Sequence, residues 1–391
     1  MIMSSKNFFE IYALDKNSRA RMGEIITLHG KIRTPAFVPV GTGATIKSLT
    51  PEEVGNCGID VFFVNTYHML FRPGPAVIEK FGGLHKFTGW DKPLMTDSGG
   101  FQIFSLGERN ERKNPPKEEQ LIRVTDRGAY FKSFWDGKTV FLEPRDSIKT
   151  QQVLGADIMM AFDECTFYPI KKKYAKKAME RTHRWAKICL EQKRKGKKSQ
   201  ALYGIVQGSV FKDLRVASAK FISLLPFDGL AIGSVANSQE PRSKVFSVLD
   251  WTMPILYPTT KPIHFLGIGE VEDIFLSVER GVDSFDCVAP TRLGRMGWIF
   301  SKREGLAKKF RYDITKSQFT TDKKSPEIGC QCPTCQNFSR GYLNHLFRNR
   351  ELLAYRLASL HNLYFFGSLM GKIRDSIKKG KFLKTKKEWL E

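Results

Sequence analysis

No stretch of this chain approaches the roughly 18 consecutive apolar residues that a membrane-spanning helix requires. The opening residues, "MIMSSKNFFEIYALDKNSRARMGE", carry charges where a secretory leader needs its apolar centre. Both absences point to a cytoplasmic protein with no membrane partner. Cysteine is scarce too: seven in 391 residues, too few and too unevenly placed for a disulfide framework. Acidic residues are the minority, 40 Asp+Glu against 63 Lys+Arg, giving a net charge of +23. An excess of that size implies a polyanionic partner, nucleic acid foremost. It is concentrated in two places. Residues 171–198 hold 13 Lys+Arg and two acids, and the last 21 residues hold eight against three. Each stretch alone reads as a solvated helical face; together they suggest a surface that follows phosphates.

No low-complexity linker divides the chain before about residue 300. What recurs instead is a short apolar run followed by a helix-length amphipathic stretch. The runs are "PAFVPV" (35–40), "DVFFVN" (60–65), "PLMTDS" (93–98), "ADIMMAFDE" (156–164), "LYGIVQG" (202–208), "DGLAIGS" (228–234), "IHFLGIG" (263–269) and "VDSFDCV" (282–288). Continuously apolar strands spaced by helices are parallel strands buried on both faces. Eight such units predict an α/β fold of the (β/α)8 TIM barrel type. The barrel is expected over residues 1–310, with small β decorations such as the hairpin "DGKTVFLEP" (136–144). A zinc-binding helical subdomain, inserted at the C-terminal side, is expected over 311–391.

Asn65, Asp97, Asp163, Gln207, Gly233, Gly267 and Asp286 each fall at or near the C-terminal end of a run, the rim where such barrels build active sites. Any one of them could be only a helix N-cap. Five ligand-binding side chains and two glycines on one rim ask for more. "GIGEVE" lacks the third glycine of a dinucleotide fingerprint and does not open the right βαβ unit, which excludes that reading.

Cys330, Cys332 and Cys335 form C-x-C-x2-C. Thiols this close in a cytoplasmic chain are metal-ligand candidates, with zinc the default. A closed structural site needs a fourth ligand, and His345 and His361, both on an apparently long helix, are the available ones. Spacing does not choose between them.

The rim has a chemical target. Guanine offers N1–H and N2–H donors for a carboxylate and an O6 acceptor for amide N–H groups. Asp163, Gln207 and the Gly233 amide suit that edge, with Phe101 and Leu266 placed to supply apolar faces. Asp97 and Asp286 remain, and two carboxylates flanking an anomeric carbon are the equipment of retaining glycosyl transfer. Arg292 and Arg295, in what reads as the loop after Asp286, could favour its charge or bind RNA.

"TDSGGFQIFSL", "MMAFDECT", "GIVQGSV", "HFLGIG", "FDCVAPTRLGR" and "CQCPTCQNFSRGYLNHL…LHNLYF", in this order and over nearly the whole chain, resemble the tRNA-guanine transglycosylases of bacterial type. The resemblance implies exchange of guanine at the anticodon wobble position for a 7-substituted 7-deazaguanine, in queuosine modification of tRNA. It implies Asp286 as nucleophile through a covalent ribosyl-enzyme intermediate and Asp97 as general acid/base. Asp163, Gln207 and Gly233 would recognise the base, and Arg292 and Arg295 the uridines beside it. Zinc would be held by Cys330, Cys332, Cys335 and His361. The tRNA anticodon loop, a free base (7-aminomethyl-7-deazaguanine or queuine) and a second copy in a homodimer are the implied partners. Some family members are non-catalytic subunits that position tRNA, and these would be expected to lack one of the two aspartates present here. One segment departs from the family pattern: "GSVANSQE" (233–240) stands where bacterial members read close to "GGLAVGE". That change puts recognition of the 7-substituent, with any role of Ser234, Asn237, Gln239 or Glu240, in doubt.

Overall fold

The computed structural model describes residues 7–101, 122–133, 135–233 and 241–391; Ser234, Asn237, Gln239 and Glu240 lie outside them. In chain order the strands begin with β1 (Phe9–Leu14), β2 (Arg21–Thr27) and β3 (Gly30–Thr34), an antiparallel sheet. Then come β4 (Ala36–Gly41), β5 (Phe62–Val64) and β6 (Leu94–Thr96). A second antiparallel sheet follows, of β7 (Ile122–Val124), β8 (Ala129–Lys132) and β9 (Thr139–Leu142). It contains the expected decoration at 136–144, whose strand pairs with β8. After it come β10 (Ile158–Met160), β11 (Ala201–Val206), β12 (Gly229–Ile232), β13 (Ile263–Phe265) and β14 (Ser284–Cys287).

Eight strands close into a parallel barrel in the order β10-β11-β12-β13-β14-β4-β5-β6. Each of the eight apolar runs supplies one strand, because a strand covered on both faces has no position for a polar alternation. The lumen is filled by Val38, Phe63, Met95, Ile158, Met160, Tyr203, Ile205 and Ala231. Ile25 and Ile32 of the first sheet join that cluster beside Ala36, Val61, Ile158 and Ala201, residues at the starts of their strands. The β1–β3 sheet therefore plugs the N-terminal mouth and leaves function to the opposite rim. At the plugged end Arg21 grips Asp283 with two hydrogen bonds of 2.8 and 2.6 Å, both side chains buried.

Helices cover the outside. Lys172–Lys193 carries most of the central basic run and buries Ala175, Ala178, Met179, Thr182, Trp185, Ala186, Cys189 and Leu190, a stripe at helical spacing. Its lysines are left on the solvent face. After β14 the chain leaves the barrel through a short helix, the β15 (Trp298–Phe300) and β16 (Arg311–Asp313) ribbon and the cysteine segment. It returns as the helix Leu352–Lys378, which packs against β4, with Phe366 at 4.6 Å from Phe37 between ring centres. The long helix thus fills the last place in the barrel wall, and the cysteine segment is an insertion ahead of it. Among the described residues no helix is long and apolar enough to cross a membrane.

Candidate active site and metal centre

Asp97 follows β6 and is pinned by three donors among the described residues. Asn65 Nδ2 and the Thr66 amide come from the end of β5, the latter at 2.8 Å, and the Gly99 amide donates at 3.0 Å. Asn65 is also the N-cap of the helix Thr66–Phe71, accepting from the His68 amide. Cap and carboxylate clamp are therefore one residue, and the cap reading and the ligand reading of this strand end both hold in part. From below, Ser147 of the helix Pro144–Leu154 donates to the Ser98 carbonyl at 2.7 Å. The turn that carries Asp97 has little freedom.

One strand further round the rim, Asp163 is buried. Ser98 Oγ donates to one of its oxygens at 3.3 Å and Gln207 Nε2 to the other at 2.6 Å. Burial pushes its carboxyl from the ordinary 3.8 up to about 6, against the lowering effect of those two bonds. The neighbouring Glu164 faces outward, held by Arg181 and by Tyr174 at 2.7 Å. The basic helix thereby fixes the backbone that aims Asp163 inward.

Gln207, at the end of β11, is nearly inaccessible, and its Oε1 has no hydrogen-bond partner among the described residues. A buried acceptor without a donor is costly in a finished core. It is an asset where a ligand supplies the donor. Gly233 lies beside it, and a Cβ there would come within 2.8 Å of Gln207 Nε2. The Gly233 amide donates to the Val206 carbonyl at 3.2 Å. A base oxygen at that amide would share or replace this ladder bond. Arg215, fully buried, gathers the carbonyls of Val206, Ser209 and Gly233 at 2.8, 2.6 and 2.7 Å.

Asp286 stands on β14, across the barrel from this group. Its Oδ1 accepts from His264 Nε2 at 3.0 Å and from the Gly267 amide at 3.1 Å. Gly267 has φ +82°, a backbone region that glycine enters at little cost. Leu266 is half-buried at the edge of the luminal cluster, and Phe101 is 48% exposed with Phe167 as ring neighbour at 6.4 Å.

Arg292 and Arg295 are not in a loop. They belong to the helix Ala289–Gly294 and its C-cap, because Pro290 at its first turn favours helix entry. Arg292 is exposed and has no ion pair among the described residues, while Arg295 Nη1 donates to the Thr291 carbonyl at 2.8 Å. Burial and the charge of Arg292 lower the Arg295 pKa.

The two candidate histidines sit on separate helices, not one. His345 is in Arg340–Arg348 and His361 in Leu352–Lys378, with Arg350 at φ +58° between them. His361 meets the cysteines: its Nδ1 is 3.9, 3.4 and 3.2 Å from the sulfurs of Cys330, Cys332 and Cys335. Its Nε2 donates to the Phe300 carbonyl at 2.7 Å, which reserves Nδ1 as the inward lone pair. Backbone amides of Cys335 and Glu327 point at the sulfurs of Cys332 and Cys335. Three thiols and an oriented imidazole can bind a metal ion and leave no open position for substrate. The same helix holds the arginine-bearing one: Asn362 Nδ2 donates to the carbonyls of Pro290 and Trp298, both at 2.9 Å.

Asn65, marked by its strand end, is joined in this architecture by Ser98, Arg215 and His264, which no motif marks. Ser98 and His264 act through contacts with other strands of the barrel, and Arg215 through carbonyls at the ends of β11 and β12.

In essentially every characterised enzyme built on a parallel (β/α)8 barrel the active site lies at the carboxyl ends of the strands, where this chain gathers its polar groups. A barrel enzyme is the class this rim defines. A family model described as queuine tRNA-ribosyltransferase matches residues 15–391. A queuine tRNA-ribosyltransferase of Roseiflexus sp. (strain RS-1) is 43% identical over 399 residues, covering 98% of each chain. One of Psychrobacter sp. (strain PRwf-1) is 44% identical over 369 residues, 93% of this chain and 91% of the relative. One of Halothermothrix orenii is 42% identical over 382 residues, 98% and 96%. The chain belongs to the queuine tRNA-ribosyltransferase family.

Proposed function

We propose that this chain exchanges a guanine at the anticodon wobble position of tRNA for a 7-substituted 7-deazaguanine, by double displacement. Asp286 attacks C1′ of the target nucleoside. The C1′–N9 bond breaks, and the expelled guanine takes up a proton from Asp97. The incoming base gives its N9 proton to Asp97 and attacks C1′, and Asp286 leaves with its electron pair. Asp163 accepts from N1–H and N2–H of the base, and the Gln207 Nε2 hydrogen not given to Asp163 donates to O6. Arg292 and Arg295 engage the flanking uridines. Leu266 and Phe101 cover the base faces.

The observation that carries this reading is the buried carboxylate of Asp163, held by Ser98 and Gln207 on a rim that also holds two anchored aspartates. The donor set Cys330, Cys332, Cys335 and His361 suits Zn2+, which would supply structure rather than chemistry. We take the working form to be a homodimer, testable by sedimentation at micromolar concentration.

Mass spectrometry of protein mixed with substrate tRNA and incoming base tests the nucleophile. Wild type should gain a covalent tRNA adduct and Asp286→Asn none. An adduct on the substituted protein would remove Asp286 from that role.

A further inference from the structure

A buried histidine must satisfy both ring nitrogens wherever it lies. His264 does so in an unusual place. It is fully buried in β13 with Phe63 as ring neighbour at 5.9 Å. In register it lies opposite Ser284 of β14, and its Nδ1 is 2.8 Å from Ser284 Oγ. Ser284 and Asp286 are two residues apart on one strand, so both side chains leave the same face. The imidazole therefore spans from the serine to the carboxylate, reaching Asp286 Oδ1 at 3.0 Å.

The order of donors fixes the proton. A neutral imidazole has one N–H and one lone pair. Asp286 can only accept when ionised, so the N–H is on Nε2. Ser284 then donates its hydroxyl proton to Nδ1, and it has no other hydrogen-bond partner among the described residues. The Gly267 amide adds a second donor to the same carboxylate oxygen at 3.1 Å. No described group donates to Oδ2.

We propose that His264, oriented by Ser284, is a positioning residue that saturates Oδ1 of Asp286 and turns Oδ2, with its lone pairs free, toward the ribose. The inference rests on Asp286 being the nucleophile. Its chemical content is that one of two equivalent oxygens is selected before substrate arrives, which removes a rotational freedom from the attack.

The test compares wild type, Asp286→Asn, His264→Phe, His264→Gln and Ser284→Ala in steady-state exchange and in adduct formation. His264→Phe keeps ring volume and removes the donor; kcat should fall roughly 100-fold with KM for tRNA changed less than about twofold. His264→Gln restores an N–H at similar reach and should recover at least about a tenth of wild-type kcat. Ser284→Ala keeps the imidazole but frees its tautomer, and should lower kcat less than His264→Phe does. Wild-type kcat in His264→Phe, or equal defects in His264→Phe and His264→Gln with KM also raised, would overturn the proposal. Both results leave Asp286 as nucleophile intact. If His264→Phe does not fold, the Ser284→Ala and His264→Gln kcat values decide, and wild-type values in both overturn it. An adduct on Asp286→Asn would instead sink the functional reading itself.

Discussion

Gln207 Nε2 donates to Asp163 Oδ2 across 2.6 Å at the ends of two adjacent barrel strands, while the other oxygen of that carboxylate meets Ser98. The bond holds a buried acid in place without neutralising it. Asp163 titrates near 6 because burial disfavours its charge.

The sign of the consequence follows from linkage. The folded pKa lies above the ordinary 3.8, so the stabilising contribution is present below that value and lost as pH rises through 6. Asp163→Asn should therefore be more stable than wild type above pH 6, by at most about 3 kcal/mol, and the gap should close below pH 4. Denaturant unfolding at both ends of that range measures it. The same substitution should weaken base binding at least tenfold, and wild-type base affinity should decline as pH falls through about 6. Base titration by calorimetry checks both.

A methyl group at Gly233 would sit 2.8 Å from Gln207 Nε2 and 3.0 Å from Ile205. Gly233→Ala should displace the Gln207 amide and raise KM for the base by roughly tenfold, with KM for tRNA little changed. Equal KM values for the base in the two proteins would show that the amide is not held by this contact.

The metal cluster is joined to the arginine helix through one long helix. His361 reaches the Phe300 carbonyl, and the next residue, Asn362, reaches those of Pro290 and Trp298. Chelation, or Cys335→Ser, should raise hydrogen exchange over 289–300 and weaken tRNA binding more than base binding. Loss of a structural metal also lowers folding stability outright, so the melting temperature should drop in the same samples.

Arg21 and Asp283 are buried together at the plugged end of the barrel. Arg21→Met leaves a carboxylate without its cation, which costs about 3–5 kcal/mol in such settings. Asp283 is also the acceptor for the Ile263 amide and precedes the strand that carries Asp286. Stability and exchange rate should fall together in this variant.

Arg292 is exposed and unpaired among the described residues, on a helix next to the strand of Asp286. Arg292→Ala should weaken tRNA binding by about 1–3 kcal/mol and relax discrimination against an altered neighbouring base. Filter binding over a salt series, where the wild-type affinity itself should fall as salt rises, separates this from loss of general charge.

The chain by itself determined the barrel, because strands buried on both faces must be written in apolar residues and no other pattern repeats eight times here. It also marked the rim aspartates and the three cysteines, since their chemistry is unusual at strand ends and at such short spacing. Folding decided what lies far apart in sequence. Spacing left His345 and His361 equal, and only a turn at Arg350 and the return of a long helix to the barrel wall bring His361 to the sulfurs. The arginines after Asp286 read as loop because a six-residue helix is too short to show a period, and it is held by Asn362 from outside. In sequence His264 is one residue within an apolar strand run. Its meeting with Ser284 and Asp286 depends on strand register, which no local pattern of residues contains.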